Sequence, residues 1–173
     1  MQKIKLYASK PLFVLFVLLA LTLCVFIFCM SSEPAVESSA RSASIVVKVV
    51  QTLVPDLDRY VPPQKQPDFF SQLNHYLRKV AHFSLYALLG ILLFCVSAYW
   101  ERPWLSHYGT AVAGAALYAV TDEIHQSFAP GRGPRISDVL LDTAGAAFGA
   151  LILLLFVLWA LKRKRAKKPQ EKN

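Results

Sequence analysis

Apolar residues in this chain are grouped in long runs. They neither alternate, as in a half-buried strand, nor form the narrow stripe of a soluble amphipathic helix. Residues 11–30 contain Thr22 as their only hydroxyl side chain, and three further runs cover about 81–100, 106–124 and 139–161, the third of the four rich in Ala and Gly. Each approaches the roughly 20 residues that a helix needs to cross a bilayer core. The pattern predicts an all-α, polytopic membrane protein with four transmembrane helices. The first run exceeds the roughly 7–15 apolar residues of a cleaved signal peptide, and no small-residue cleavage site follows Met30, so it reads as a retained anchor.

Between the first and second runs the chain turns polar at Ser31, Ser32, Glu33 and Pro34 and then offers two short helices, at 44–54 and 68–78. The second follows Pro67 and puts Phe69, Leu73 and Leu77 on one face, which suits an interfacial helix on the outer surface. Residues 55–67, with four prolines, join the two. The predicted organisation is a basic N-terminus at 1–10, a first span at 11–30, an extracytoplasmic segment at 31–79, a core of three spans at 80–161 and a basic tail at 162–173.

Composition supports the same class, since only 17% of residues are charged, against about a quarter in an average soluble domain. The net charge of +8 lies wholly at the ends: Lys3, Lys5 and Lys10 give +3, the tail gives +6, and everything between sums to −1. Flanking Lys and Arg are retained in the cytoplasm, so both termini are predicted inside, which an even number of spans allows. Trp100, Trp104 and Trp159 then fall near the cytoplasmic interface, and the tail can attract anionic head groups. No nucleic-acid recognition motif accompanies the charge. Cys24 and Cys29 lie in the outer half of the first span and Cys95 in the inner half of the second, a separation that predicts no disulfide.

This topology brings the remaining charges to one level, the outer end of spans two to four. Lys79, His82 and Tyr86 are spaced three and four residues apart and share a helical face, as do Tyr118, Asp122 and His125 on span three. On span four Asp138 and Asp142 lead into Gly145 and Gly149, a G-x-x-x-G pair that permits close helix approach. A charge within a span costs about 2.5–3.5 kcal/mol on the insertion scale. Helix dipoles worsen it, because Asp122 and Glu123 sit at a C-terminal end while Arg78 and Lys79 sit at an N-terminal end. Pairing Lys79 with Asp122 or Glu123 would relieve both, and Arg132 and Arg135 would reach the other carboxylates. Asp138 reads as the cap of span four; Asp142 and His82, deeper in their helices, lack so simple an explanation.

Several roles compete for this cluster. It is a structural network in which Arg78, Lys79, Arg132 and Arg135 balance Asp122, Glu123, Asp138 and Asp142. Or it is a head-group site, with Arg132 and Arg135 on the Gly131-x-Gly133 loop holding a phosphate or carboxylate beside Lys79 and lipid chains in the glycine groove. Or it is catalytic, with His82 or His125 as general acid or base and Asp122 or Glu123 beside it. A metal variant of the last would join Asp122 and His125 to His82 or Asp142, although no metal and no cofactor is the expectation. Proton conduction is disfavoured because the inner halves of the spans carry no ionisable relay.

The residues Arg78-Lys79-Val80-Ala81-His82-Phe83, Tyr86 and Gly90, then Asp122-Glu123-Ile124-His125-Gln126-Ser127-Phe128 with Pro130-Gly131-Arg132, and finally Asp138, Asp142, Gly145 and Gly149 resemble the VanZ-like family. Met30-Ser31-Ser32-Glu33-Pro34 is similar to the family's segment after its first span, so the likeness covers most of residues 25–150. Many members carry an acid before the tyrosine of span two, where this chain has Leu85. The resemblance implies a multi-pass protein of the bacterial plasma membrane, with named relatives that lower susceptibility to the glycopeptide teicoplanin. The expected ligand is a membrane lipid, a lipid-linked cell-wall precursor or a lipoglycopeptide, held by Lys79, His82, Tyr86, Asp122, Glu123, Gln126, Arg132, Arg135, Asp138 and Asp142. An intramembrane enzyme acting on a lipid-linked substrate and a ligand-free scaffold stand as alternatives.

Overall fold

A computed structural model describes residues 3–4, 6–7, 9–131 and 133–166. Arg132, Lys5 and the end of the basic tail lie outside the described residues. The elements run β1 (Lys3–Ile4), α1 (Lys10–Ser31), α2 (Ala35–Leu53), two 3-10 turns (Leu57–Arg59 and Pro63–Lys65), α3 (Gln66–Ser97), β2 (Arg102–Pro103), α4 (Trp104–Gln126) and α5 (Ile136–Ala166). Among the described residues, three stretches are long and apolar enough to cross a membrane: Lys10–Ser31, Pro63–Ser97 and Ile136–Lys164. The predicted third span, α4, is not among them. Its 23 residues would reach across, but its buried stripe of Ala111, Ala115 and Ala119 is built for tight packing among its neighbours more than for contact with lipid.

The segment after α1 departs from expectation. In place of two short helices, α2 takes up 19 residues and the 68–78 stretch is simply the start of the 32-residue α3. No Gly or Pro interrupts 68–89, so nothing ends a helix there, and Pro67 sits in the first turn, where its missing N–H is harmless. Serines in the first turns of α2 are accommodated locally, with Ser42 Oγ donating to the carbonyl of Ser38 at 2.9 Å. The helix is pinned to α3 where Asn74 donates to the Ser39 carbonyl and Arg78 to the Ser39 hydroxyl, each at 3.2 Å.

The closest packing in the fold is between α3 and α5, which run parallel. A Cβ added to Gly145 would collide with the backbone of Phe83, one on Gly149 with that of Ala87, and one on Gly90 with that of Ala146. The two main chains therefore touch directly, the arrangement that small residues permit between membrane helices. This corrects the reading in which the glycine groove holds lipid chains, because α3 already fills it. Helix α4 runs antiparallel to α3 and α5, and α1 lies mainly against α3 and to a lesser extent against α4, with Ala20, Leu23 and Ile27 packed against Tyr86, Leu89, Ala115 and Ala119. At the opposite end from the polar cluster, β1 pairs with β2 and Phe13 packs on Tyr99 and Trp100 at centroid distances of 4.8 and 5.4 Å, tying the start of α1 to the α3–α4 connection. Leu15, Leu18, Val25 and Phe26 of α1 and Ile152, Leu155 and Phe156 of α5 point outward. A surface so apolar suits contact with hydrocarbon.

Gly149→Val is expected to destabilise the fold by about 3 kcal/mol, the upper range for over-packing, because the group in its way is main chain and cannot rotate aside. Gly109→Ala, with nothing within 4 Å of the new methyl, should be neutral or stabilise by a few tenths of a kcal/mol. Denaturant titration of both variants in micelles measures the difference.

Candidate functional site

At the end of the bundle where α3 and α5 begin and α1 and α4 finish, polar side chains from all four helices meet. Lys79 Nζ lies 3.7 Å from Asp138 Oδ1, and one turn deeper His82 Nδ1 lies 3.7 Å from Asp142 Oδ2. This ladder follows from the parallel α3–α5 contact, since the same rows of residues continue into the glycine crossing. Lys79 thus pairs with the acid on α5, not with Asp122 or Glu123 as the antiparallel neighbours suggested. Facing helices set the choice: the Lys79 side of α3 looks at α5.

Asp122 is instead held from α1 and from its own helix. Ser31 donates to Asp122 Oδ2 at 3.0 Å, Gln126 donates to the same oxygen at 3.0 Å, and Gln126 also donates to the Ser31 hydroxyl at 3.3 Å. The spacing of Tyr118, Asp122 and His125 on one face is realised, but that face looks toward α1. Tyr118 donates to the carbonyl of Cys24 at 2.6 Å, and His125 stacks on Phe28 at 3.9 Å between centroids while its Nε2 lies 2.9 Å from Ser32 Oγ. His125 is thereby turned away from His82, which removes the metal variant built on Asp122 and His125. Its imidazole serves the α1–α4 seam.

Glu123 and Asp138 also exchange their expected tasks. Glu123 Oε2 accepts the backbone N–H of Arg135 at 2.7 Å, just before α5 begins, where a carboxylate is favoured by unsatisfied N–H groups and by the helix dipole. Asp138 is not the cap: it lies inside the first turn, its own N–H bonded to the Arg135 carbonyl. The preceding turn closes through Gly131, whose φ of 77° is open to glycine at little cost.

These groups surround a cavity of about 270 Å³. Arg78, Lys79 and His82 line it from α3, Glu123 and Gln126 from α4, and Arg135, Asp138 and Asp142 from the start of α5; His75 joins them at the rim. Below its floor Tyr86 is completely buried. His82, Asp122 and Asp142 each present one ligand-type atom within 4.8 Å of the others, the two carboxylates being 2% and 1% exposed. Of the ten residues expected to bind a ligand, the cavity assembles seven in its wall and leaves Asp122 and Tyr86 behind it, close to both Asp142 and His82. Arg132 lies outside the described residues. The residue not foreseen is Ser31, whose only signal was its position at the membrane depth of Asp122 directly after the first apolar run.

Chemically the cavity and the groups just behind it form two layers. An outer layer of Arg78, Lys79 and Arg135 offers donors to an anion, and an inner layer of His82, Asp122 and Asp142 offers acceptors to a proton or a cation. Removing the Ser31 hydroxyl leaves buried Asp122 with one donor fewer, so Ser31→Ala should cost about 1–2 kcal/mol of stability. Ser32→Ala, at an exposed site, should cost less than about 0.5 kcal/mol. Parallel unfolding titrations of the two variants provide the comparison.

Comparison with known proteins fits this geometry. No curated protein and no solved structure matches the chain. The profile of the VanZ/LLP1 family matches residues 16–157, a region that runs from within α1 to the inner part of α5 and contains every described residue of the polar cluster. With that share of the sequence matched and the polar residues of four helices gathered inside the matched region, the chain belongs to the VanZ/LLP1 family.

Proposed function

We propose that this protein is a four-span component of the bacterial plasma membrane that binds the anionic head group of a lipid or lipid-linked cell-wall component at an outward-facing site. Supporting the topology are the basic residues at both chain ends and Trp100, Trp104 and Trp159 at the end of the bundle away from the cluster. With α4 as the remaining span, the cavity opens on the outer side, where wall precursors and lipoglycopeptides such as teicoplanin are met. An effect on teicoplanin susceptibility, which the family suggests, follows if the natural ligand and the drug's membrane anchor share that site.

The observation that carries the reading is the convergence of Arg78, Lys79 and Arg135 on one cavity. Three cations gathered around one half-open cavity recognise phosphate or carboxylate well. Its volume of about 270 Å³ lies just below the roughly 300–1,000 Å³ of common ligand pockets, room for a head group and little more. Since α3 occupies the glycine groove, the acyl chains of such a ligand stay in the surrounding bilayer against the outward faces of α3 and α5. A second reading, an intramembrane enzyme on a lipid-linked substrate, draws on the His82–Asp142 pair, in which a carboxylate faces one imidazole nitrogen and leaves the other for proton transfer. It differs in requiring turnover, which His82→Ala would abolish while leaving binding of the intact ligand.

Purified protein should bind a short-chain phosphatidic acid, with affinity that falls as salt is raised. Lys79→Ala and Arg135→Ala should each weaken binding about tenfold, the effect of one lost hydrogen bond to a charged group. Equal binding by wild type and both variants would count decisively against the head-group site.

A further inference from the structure

The inner layer of the site contains more acceptors than its surroundings satisfy. Asp122 Oδ1, Asp142 Oδ1 and the Tyr86 hydroxyl are all shielded from solvent and all lack a hydrogen-bond partner, whereas buried polar atoms are as a rule bonded. The three belong to one place. Tyr86 is one turn below His82 on α3, is fully buried, and interacts electrostatically with both carboxylates. The cations that should compensate these acids are engaged higher up, Lys79 with Asp138 and Arg78 with Ser39, while Arg135 offers only its backbone N–H to Glu123. His82 is the one basic side chain among the described residues that reaches this depth.

The geometry points to a divalent transition-metal site formed by His82, Asp122 and Asp142, with the Tyr86 hydroxyl directed at it. Each of the three offers a donor atom, and the donors lie within 4.8 Å of one another, with His82 Nδ1 and Asp142 Oδ2 at 3.7 Å. Ligands bonded to one ion at about 2.0–2.2 Å sit roughly 3–3.5 Å apart, so the empty cage needs to contract by about an ångström and no helix has to move far. One imidazole nitrogen with two carboxylate oxygens suits zinc or manganese; calcium and magnesium prefer all-oxygen sites. Ser31 and Gln126 complete the pattern, since their bonds to Asp122 Oδ2 fix that carboxylate and leave Oδ1 turned to the ion. The +2 charge would neutralise the two buried acids directly beneath the anion-binding layer. This site goes beyond the head-group reading and stands without it.

The test uses the tag-free, full-length chain in nanodiscs of phosphatidylcholine, stripped with EDTA and titrated with Zn²⁺ and, separately, Mn²⁺. Expected are one ion bound per chain by elemental analysis, a thermal midpoint that the ion raises and chelation lowers, and at least tenfold weaker binding of Mg²⁺ and Ca²⁺. Asp142→Asn and His82→Gln should weaken Zn²⁺ binding about 10- to 100-fold, a range typical of damaged metal sites. Glu101→Gln, at the other end of the bundle, should bind as wild type. A folded wild-type chain that takes up no ion from either titration overturns the proposal and leaves a shared proton as the occupant of the cluster. So does undiminished binding in both variants. If neither variant folds, reversible ion dependence of the wild-type midpoint decides the matter, and its absence overturns the site. None of these readouts depends on whether a lipid phosphate binds.

Discussion

The direct backbone contact between α3 and α5 is the constraint on which the rest of the structure depends. Within a membrane there is no hydrophobic force to press two helices together, so association relies on close packing, and Gly90, Gly145 and Gly149 let the two main chains touch. Because the helices run parallel, the same registration that seats Gly145 on Phe83 brings Asp142 opposite His82 and Asp138 opposite Lys79. The chemistry at the end of the bundle is thus an extension of its packing. A shift of one turn along this crossing would separate every charged pair that the site contains.

Helices α1 and α4 close the arrangement from the other side. Alanines at every fourth position of α4 allow it to pack tightly, and its last two turns carry Asp122, Glu123 and Gln126 to the level of His82. The contribution of α1 is more specific than that of a membrane anchor, since its final residue, Ser31, holds Asp122 in place. The first helix is therefore part of the site, and the family match that begins at residue 16 agrees with that.

Much of this was legible in the sequence. Spacing alone put Lys79, His82 and Tyr86 on one face and Asp138 and Asp142 on another, and the charge at the termini set all of them at one end. What spacing could not supply was which helix each face meets. A three-and-four periodicity shows that Tyr118, Asp122 and His125 share a side of α4, but only packing decides that this side faces α1, where His125 lies against Phe28 and is lost to the cluster. The partner of Lys79 is hidden for the same reason: adjacency in sequence favours an acid of α4, whereas the glycines bring α3 against α5. Helix α2 was obscured by its serines, whose hydroxyls can satisfy a turn or the helix equally well. The helix expected at 68–78 and the span expected from about 81 are one helix, α3, since nothing in the composition between them ends a helix.

The account rests on four helix ends sharing one face of the membrane, which cysteine labelling in intact cells tests most directly. In a background with Cys24, Cys29 and Cys95 replaced by alanine, Lys79→Cys and Ser127→Cys should both react with a membrane-impermeant maleimide from outside. Glu101→Cys should react only after permeabilisation. Labelling of Lys79→Cys and Ser127→Cys from opposite sides of the membrane would contradict the assembly at its root.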